Sequence, residues 1–392
     1  MSRKEYNRRD FLRSMSLGLG GAGLGLAGLA GRGSAAGGGK FRFVHMTDMH
    51  VQPERNGEAG LRAAIKAVNG LNPRPDLVIT GGDLVMDALE QTYERADKRT
   101  GKKVTVTFNA RYGPTARKIK EILMTGEIGE IESVDYNWFL DVYHGADYFR
   151  RWHGLKRFSG TLLVHKATHH FDMMNWWLDR EPDEISAYGK LVKYGANGPF
   201  RGVNCRKCSH KDKCRFYWDI TGDDFNMKLY VGCEDVDGYY RDGCVFREDI
   251  DIYDTMALRV KYAGGIHMTY SLNAFMPYEG YRIGFNGSEG RLDVRSYQRQ
   301  PWDVEDAAEI KLTKIFAKKG EPKDIPVARV GGAHAGADPQ IKDMILKPEL
   351  PDPLNQRAGS RAGAMSILLG IAARKSIEEG RLIRVNDLVK FG

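Results

Sequence analysis

Beyond residue 131 the apolar side chains of this sequence recur at every second position, in segments 133–140, 184–191, 255–262, 266–272, 281–285 and 290–294. Period two marks a strand with one face on a core and the other turned outward. Few helical stretches separate the later segments, and strands joined by short connections pair antiparallel. The pattern therefore predicts a large, mostly antiparallel sheet with helices on one face. The first hundred residues follow another rule. Runs 41–47 and 77–80 read as buried strands, 61–71 and 84–98 as helices, and 104–108 as a third strand. Strands separated by crossover helices pair in parallel, so a small parallel β-α-β fragment is expected. A helix over 114–125 joins the two parts. The expected fold class is α/β plus α+β.

The N-terminus carries an addressing signal. Arg8-Arg9-Asp10-Phe11-Leu12-Arg13 precedes a Gly-, Leu- and Ala-rich stretch over 15–31, then the small residues Gly33-Ser34-Ala35-Ala36. Residues 1–38 read as a twin-arginine signal peptide, which implies a periplasmic or extracellular destination. The stretch is short and weakly apolar for a membrane span, and no stable span is expected once it is removed. The formal charge of +8 is concentrated in this leader. The rest is nearly balanced, with no basic run interleaved with aromatics, so no nucleic-acid partner is expected.

Two sets of residues carry chemistry before residue 100. Asp48 and His50 close the first strand, and Asp83 follows the second. Strand ends of a parallel sheet share a crevice, and Asp and His suit divalent metals. Segment 39–98 resembles the opening of a calcineurin-like metallophosphoesterase, whose first motifs read D-x-H and G-D. That resemblance implies Asp48 and His50 on one metal and Asp83 bridging to a second. The family's G-N-H-[DE] and G-H-x-H blocks are missing, so the divalent-metal site is incomplete.

From residue 99 to 392 the chain resembles the substrate half of Gfo/Idh/MocA oxidoreductases. The blocks are Val104-Thr105-Val106-Thr107-Phe108-Asn109-Ala110-Arg111-Tyr112, Thr161-Leu162-Leu163-Val164-His165-Lys166-Ala167-Thr168-His169-His170-Phe171-Asp172, Tyr278-Glu279-Gly280-Tyr281-Arg282 and Gly287-Ser288-Glu289-Gly290-Arg291-Leu292. The resemblance implies hydride exchange between NAD(P) and a sugar or polyol, with a general base for the hydroxyl proton. It places His169 on the family's catalytic histidine and His165 where an aspartate usually stands. Asp172, three residues after His169, is a further catalytic candidate, and Arg111, Tyr112 and Lys166 are expected at the substrate. It also implies a homo-oligomer formed through an apolar, aromatic-rich open sheet face. No G-x-G-x-x-G opens a β-α-β unit, because the glycine-rich stretch lies in the leader, and the family's E-K-P block is missing.

The five cysteines form a third feature. Cys205, Cys208 and Cys214 at x2 and x5 spacing suit a structural zinc with Cys233, Cys244 or His210 as fourth ligand. A reducing compartment favours metal and an oxidising one disulfides, so both remain open. Three functions stay in view. The first is an exported sugar or polyol oxidoreductase without its own recognisable dinucleotide domain. The others are a phosphoesterase remnant and a carbohydrate-binding protein without catalysis.

Overall fold

The protein is described by a computed structural model covering residues 42–47, 57–75, 77–81, 104–331 and 333–389. It divides into two units. In the first, Phe43–Thr47 (β1) and Leu77–Gly81 (β2) pair in parallel, register Phe43 to Leu77, with helix Gly57–Asn69 (α1) between them. This is the expected β-α-β fragment without its third strand. Among the described residues, 104–108 make one antiparallel bridge, Val106 to Ala358, inside the second unit. The Phe108 and Asn109 amides turn back onto the Val106 and Thr107 carbonyls, at 2.9 and 2.8 Å. Amides satisfied locally cannot extend a ladder, which corrects the expectation of a third parallel strand. Residues 1–41, Asp48, His50, Asp83 and the helix expected over 84–98 lie outside the described residues.

The second unit is built on a nine-stranded sheet. Helix Pro114–Met124 (α2), with its proline at the first helical position, leads into strand Ile131–Asp141 (β3). Asp141 ends the strand and caps helix Val142–Arg150 (α3), accepting from the Tyr143 and His144 amides at 2.7 and 2.9 Å. Helix Thr168–Leu178 (α4) is followed by strand Pro182–Lys190 (β4). Four strands then run in succession: Thr255–Tyr262 (β5), His267–Met276 (β6), Glu279–Gly287 (β7) and Gly290–Arg299 (β8). Ala308–Lys314 (β9) and Lys323–Val327 (β10) extend one edge. After Ala337–Leu346 (α5) and Ser360–Glu379 (α6), Ile383–Arg384 (β11) closes the other. The order is β10-β9-β8-β7-β3-β6-β5-β4-β11, and only β3 and β6 run parallel. Six of these strands follow the period-two pattern, whereas β9, β10 and β11 were not anticipated. β10 carries Pro326, which suits an edge.

One sheet face makes the core. Tyr136 and Trp138 of β3, Leu258 and Val260 of β5 and Tyr270 and Leu272 of β6 point inward. They meet Phe171 and Trp177 of α4 and Leu369 of α6 in one cluster. The opposite face is polar, which corrects the expectation of an apolar, aromatic-rich surface. There Asn137 donates to Ser271 at 2.8 Å, Thr269 donates to Asp135 at 2.8 Å, and Arg259 and Lys261 stand exposed. Alternation puts about every second residue of these strands outside, and most of those are hydrophilic, with Tyr188 of β4 an exposed exception.

Candidate active site

The site is laid out by a strained turn. Thr161, fully buried, has φ +87°, a backbone region that β-branched residues avoid. Its hydroxyl accepts from the Leu163 amide at 3.3 Å and starts the single helical turn Leu162–His165. The chain passes through Lys166 into α4, so His165, Lys166 and His169 follow within one short path. α6 presses on this turn at Gly370, where a Cβ would come within 2.4 Å of the Leu163 carbonyl oxygen. From the other side Lys120 of α2 donates to the Trp176 carbonyl at 2.7 Å, binding a last-turn carbonyl of α4.

The basic groups of this path repel one another's charge. Burial, then the cations of Arg151, His169 and Lys166, push His165 down to about 4. Burial, then Lys166 and His334, push His169 down to about 4. Both imidazoles are therefore neutral near pH 7. Burial also lowers Lys166, and Glu279 opposes the shift. The Lys166 ammonium lies 5.5 Å from the centre of the Trp138 ring. Glu279, nearly buried, is held by His144 Nδ1 at 2.9 Å from both carboxylate oxygens. His165 Nε2 and His153 Nε2 share a hydrogen bond of 2.9 Å, and His153 stacks on Trp152. Four buried nitrogens here have no partner among the described residues: Trp138 Nε1, His153 Nδ1, His165 Nδ1 and His169 Nδ1. Buried polar atoms are normally satisfied, so a set of orphans beside a lysine and a carboxylate suits a hydroxyl-rich ligand or water.

Three expected site residues have other tasks. Arg111 and Asp172 hold each other through two hydrogen bonds, of 2.8 and 2.6 Å, and both are nearly inaccessible. Burial raises the Asp172 carboxyl and the guanidinium opposes the shift. This pair ties the turn Asn109–Tyr112 to α4 and leaves neither group facing a substrate. Tyr112 packs against Ala337 and Ile341, and burial pushes its hydroxyl up to about 12. His169 reaches the same turn through Phe108, ring centres 5.9 Å apart. Neighbouring His170 is a core residue, stacked on Trp138 and bonded to the Tyr270 hydroxyl at 2.7 Å. Glu279, His144, His153 and Trp138 were not anticipated as site residues. Glu279 had a signal, since it sits in one of the resembling blocks.

Residues 120–386 match the model of the Gfo/Idh/MocA family, described as an oxidoreductase family, C-terminal alpha/beta domain. The chain belongs to the Gfo/Idh/MocA oxidoreductases. YteT of Bacillus subtilis (strain 168), named as an oxidoreductase, is 39% identical over 313 residues, covering 76% of this chain and 72% of YteT. An NAD-binding oxidoreductase from Klebsiella pneumoniae superposes with TM-score 0.57 at 14% identity, over 88% of this chain and 80% of that one. An aldose-aldose oxidoreductase from Caulobacter crescentus, complexed with glycerol, gives TM-score 0.51 at 10% identity, over 88% and 99%. At such identities the solved structures speak for the fold alone.

A dinucleotide of the kind used by such oxidoreductases needs a cradle for its pyrophosphate, a glycine-rich turn between a strand and the helix that follows. Residues 48–56, between β1 and α1, contain no glycine, and the glycine-rich stretch 18–39 precedes β1. The residues present do not fit a dinucleotide pyrophosphate in this β-α-β unit. Among the described residues, no three His, Cys, Asp or Glu side chains are gathered closely enough to hold a metal ion. No helix among them is long and apolar enough to cross a membrane.

Proposed function

We propose that this oxidoreductase acts on a sugar or polyol bound between Lys166, His169 and the Trp138 ring, to which a nicotinamide, were one bound, would supply hydride exchange. The observation that carries the reading is the group of orphaned buried nitrogens around a lysine of lowered pKa. A hydroxyl both donates and accepts, so neutral His165 and His169 can orient one without adding charge. Lys166 is the residue to move the hydroxyl proton. A base works best with a pKa near the working pH, and burial shifts Lys166 towards that range while it holds His169 far below it. Glu279, fixed by His144, steadies the ammonium when the proton arrives.

The test is a titration of the purified chain with aldoses, inositols and linear polyols, read by tryptophan fluorescence and, with NAD(P)⁺ present, by nicotinamide absorbance. We expect saturable binding of one sugar class, turnover with a nicotinamide, and loss of turnover by about a hundredfold or more in Lys166→Met. Absence of binding to every saccharide and polyol would sink the proposal. Saturable binding without turnover would favour the second reading, a carbohydrate-binding protein, which the misfit of the pyrophosphate cradle supports.

A further inference from the structure

Between β4 and β5 the chain runs through residues 191–254 without a strand, and its helices there are no longer than six residues. Its cysteines are free thiols, and among the described residues Cys205, Cys208 and Cys214 do not gather closely enough to hold the expected zinc. What the segment brings against α3 is charge. Arg241 forms an ion pair with Asp147 of α3 at 2.6 Å, and Arg151, which follows α3, reaches the other oxygen of that carboxylate at 3.4 Å. The Trp218 ring meets both Arg241 and Arg150, with guanidinium carbons 5.0 and 5.8 Å from its centre. Arg150 is buried and bonds to the Phe216 and Gly243 carbonyls and to Cys205 Sγ, none of them a carboxylate. Three guanidiniums thus share this corner with one carboxylate. The C-terminus of α3 adds a partial negative charge of about half a unit, and a surplus of positive charge remains.

This corner adjoins the site. Arg151 is followed at once by Trp152 and His153, and His153 Nε2 shares the 2.9 Å hydrogen bond with His165 Nε2. Burial, then the charges of His165, Arg151 and Arg241, push His153 down to about 2. After burial, Arg151 is also the largest influence on His165. Both rings are therefore neutral near pH 7, and that fixes what they offer. In a neutral pair joined Nε2 to Nε2 one ring donates, so the ring that accepts carries its own hydrogen on Nδ1. Neither Nδ1 has a partner among the described residues, and neither has Arg151 Nε. Two buried donors, one imidazole N–H and one guanidinium N–H, thus lack an acceptor. A hydroxyl would bring a donor of its own to this corner. A carboxylate only accepts, and it forms charge-assisted hydrogen bonds with guanidinium.

Given the sugar site proposed above, on which this rests, we infer that the substrate is an acidic sugar whose carboxylate binds at Arg151 and His153. Its hydroxyls then meet Lys166, His169 and Trp138. Arg241, held by Asp147, adds attraction through space. A carboxylate here also fixes the tautomers. His153 carries Nδ1–H towards it and accepts at Nε2 from His165 Nε2–H, which leaves His165 Nδ1 as an acceptor for a sugar hydroxyl. A neutral histidine pair suits the task, because it donates without adding a further cation to a corner that already has too many. Since Arg241 and Trp218 come from residues 191–254, that segment sets which sugar is accepted, while β3 and α4 supply the groups that handle its hydroxyls.

The test is calorimetric titration of the full chain with matched sugars: galacturonate against galactose and glucuronate against glucose, with the 6-phosphates of both hexoses as a third arm. We expect the uronate of at least one pair to bind about tenfold or more tightly than its neutral partner. Arg151→Gln should bring that ratio close to one, and Arg241→Gln should lower it in part. If either variant does not fold, the affinity ratio of the native chain decides alone. Equal affinity for uronate and neutral sugar would overturn the inference and leave the sugar-binding reading standing. A uronate preference that is lost in Arg151→Gln but indifferent to Lys166→Met and Trp138→Phe would uphold the carboxylate subsite and remove the Lys166 site from that reading. Tighter binding of a sugar phosphate than of the uronate would overturn the carboxylate assignment. Binding of no sugar at all would overturn both.

Discussion

His165 and His169 sit where a positive charge is costly, and that fixes how the protein should respond to acid. Their folded-state values near 4 lie below the ordinary histidine value of 6.5. Above 6.5 both states of the chain hold these rings neutral, so their contribution to stability is complete. Between 6.5 and about 4 the unfolded chain takes up protons that the folded chain refuses, so stability falls as pH falls. Urea midpoints measured from neutral pH down to about 4 should show this slope, and His165→Gln/His169→Gln should make it shallower, with buried His153 and His170 keeping the remainder. An unchanged slope in the double variant would place these rings in ordinary solvent. The Arg111–Asp172 pair makes a second residue-scale prediction. Removing one partner strands a buried charge, at a cost of about 3–5 kcal/mol. Arg111→Met should therefore destabilise strongly, whereas Arg111→Met/Asp172→Leu should recover much of the loss. Equal losses in single and double variants would refute the account. Arg111 and Asp172 are legible in the sequence as a pair of charged residues in two separate blocks. That they face each other is not legible, because 61 residues separate them.

At the scale of elements, the turn Leu162–His165 is held by what packs on it rather than by its own four residues. An isolated turn of helix is unstable in water. This one is clamped between the strained Thr161 and α6, and the clamp depends on Gly370. A methyl group there would collide with the Leu163 carbonyl, and backbone cannot swing aside as a flexible side chain can. Gly370→Ala should cost about 1–3 kcal/mol through overpacking. It should also impair substrate binding, because Lys166 and His165 ride on the displaced turn. A variant with native stability and native binding would show that α6 does not set the site. Elements with long regular patterns, such as α2 and β5, could be read from the sequence almost to their ends. β10 and β11 could not: a five-residue edge strand containing proline and a two-residue strand carry too little periodicity to stand out.

Over the whole molecule, the sheet follows from a simple rule, since alternation forces one face of each strand into a core. The same rule made the outer face readable in principle. Arg259, Lys261, Thr269 and Asp135 fall at the outward positions, so that face is mostly hydrophilic despite the aromatic richness of these strands. The expected apolar surface came with the family resemblance, whereas in this chain the aromatics Tyr136, Trp138, Tyr262 and Tyr270 all point inward. The site divides in the same way. His165, Lys166 and His169 lie within five residues, so their proximity is a local property that sequence could carry. Glu279 and His144 are 135 residues apart, so only the folded sheet brings them together. The sequence by itself determined the period of each strand, the family blocks and the identity of the reactive groups, because these depend on neighbours along the chain. Which imidazole is desolvated and which histidine holds Glu279 were decided by the tertiary structure. Burial and distance act through space, and a linear pattern does not record them.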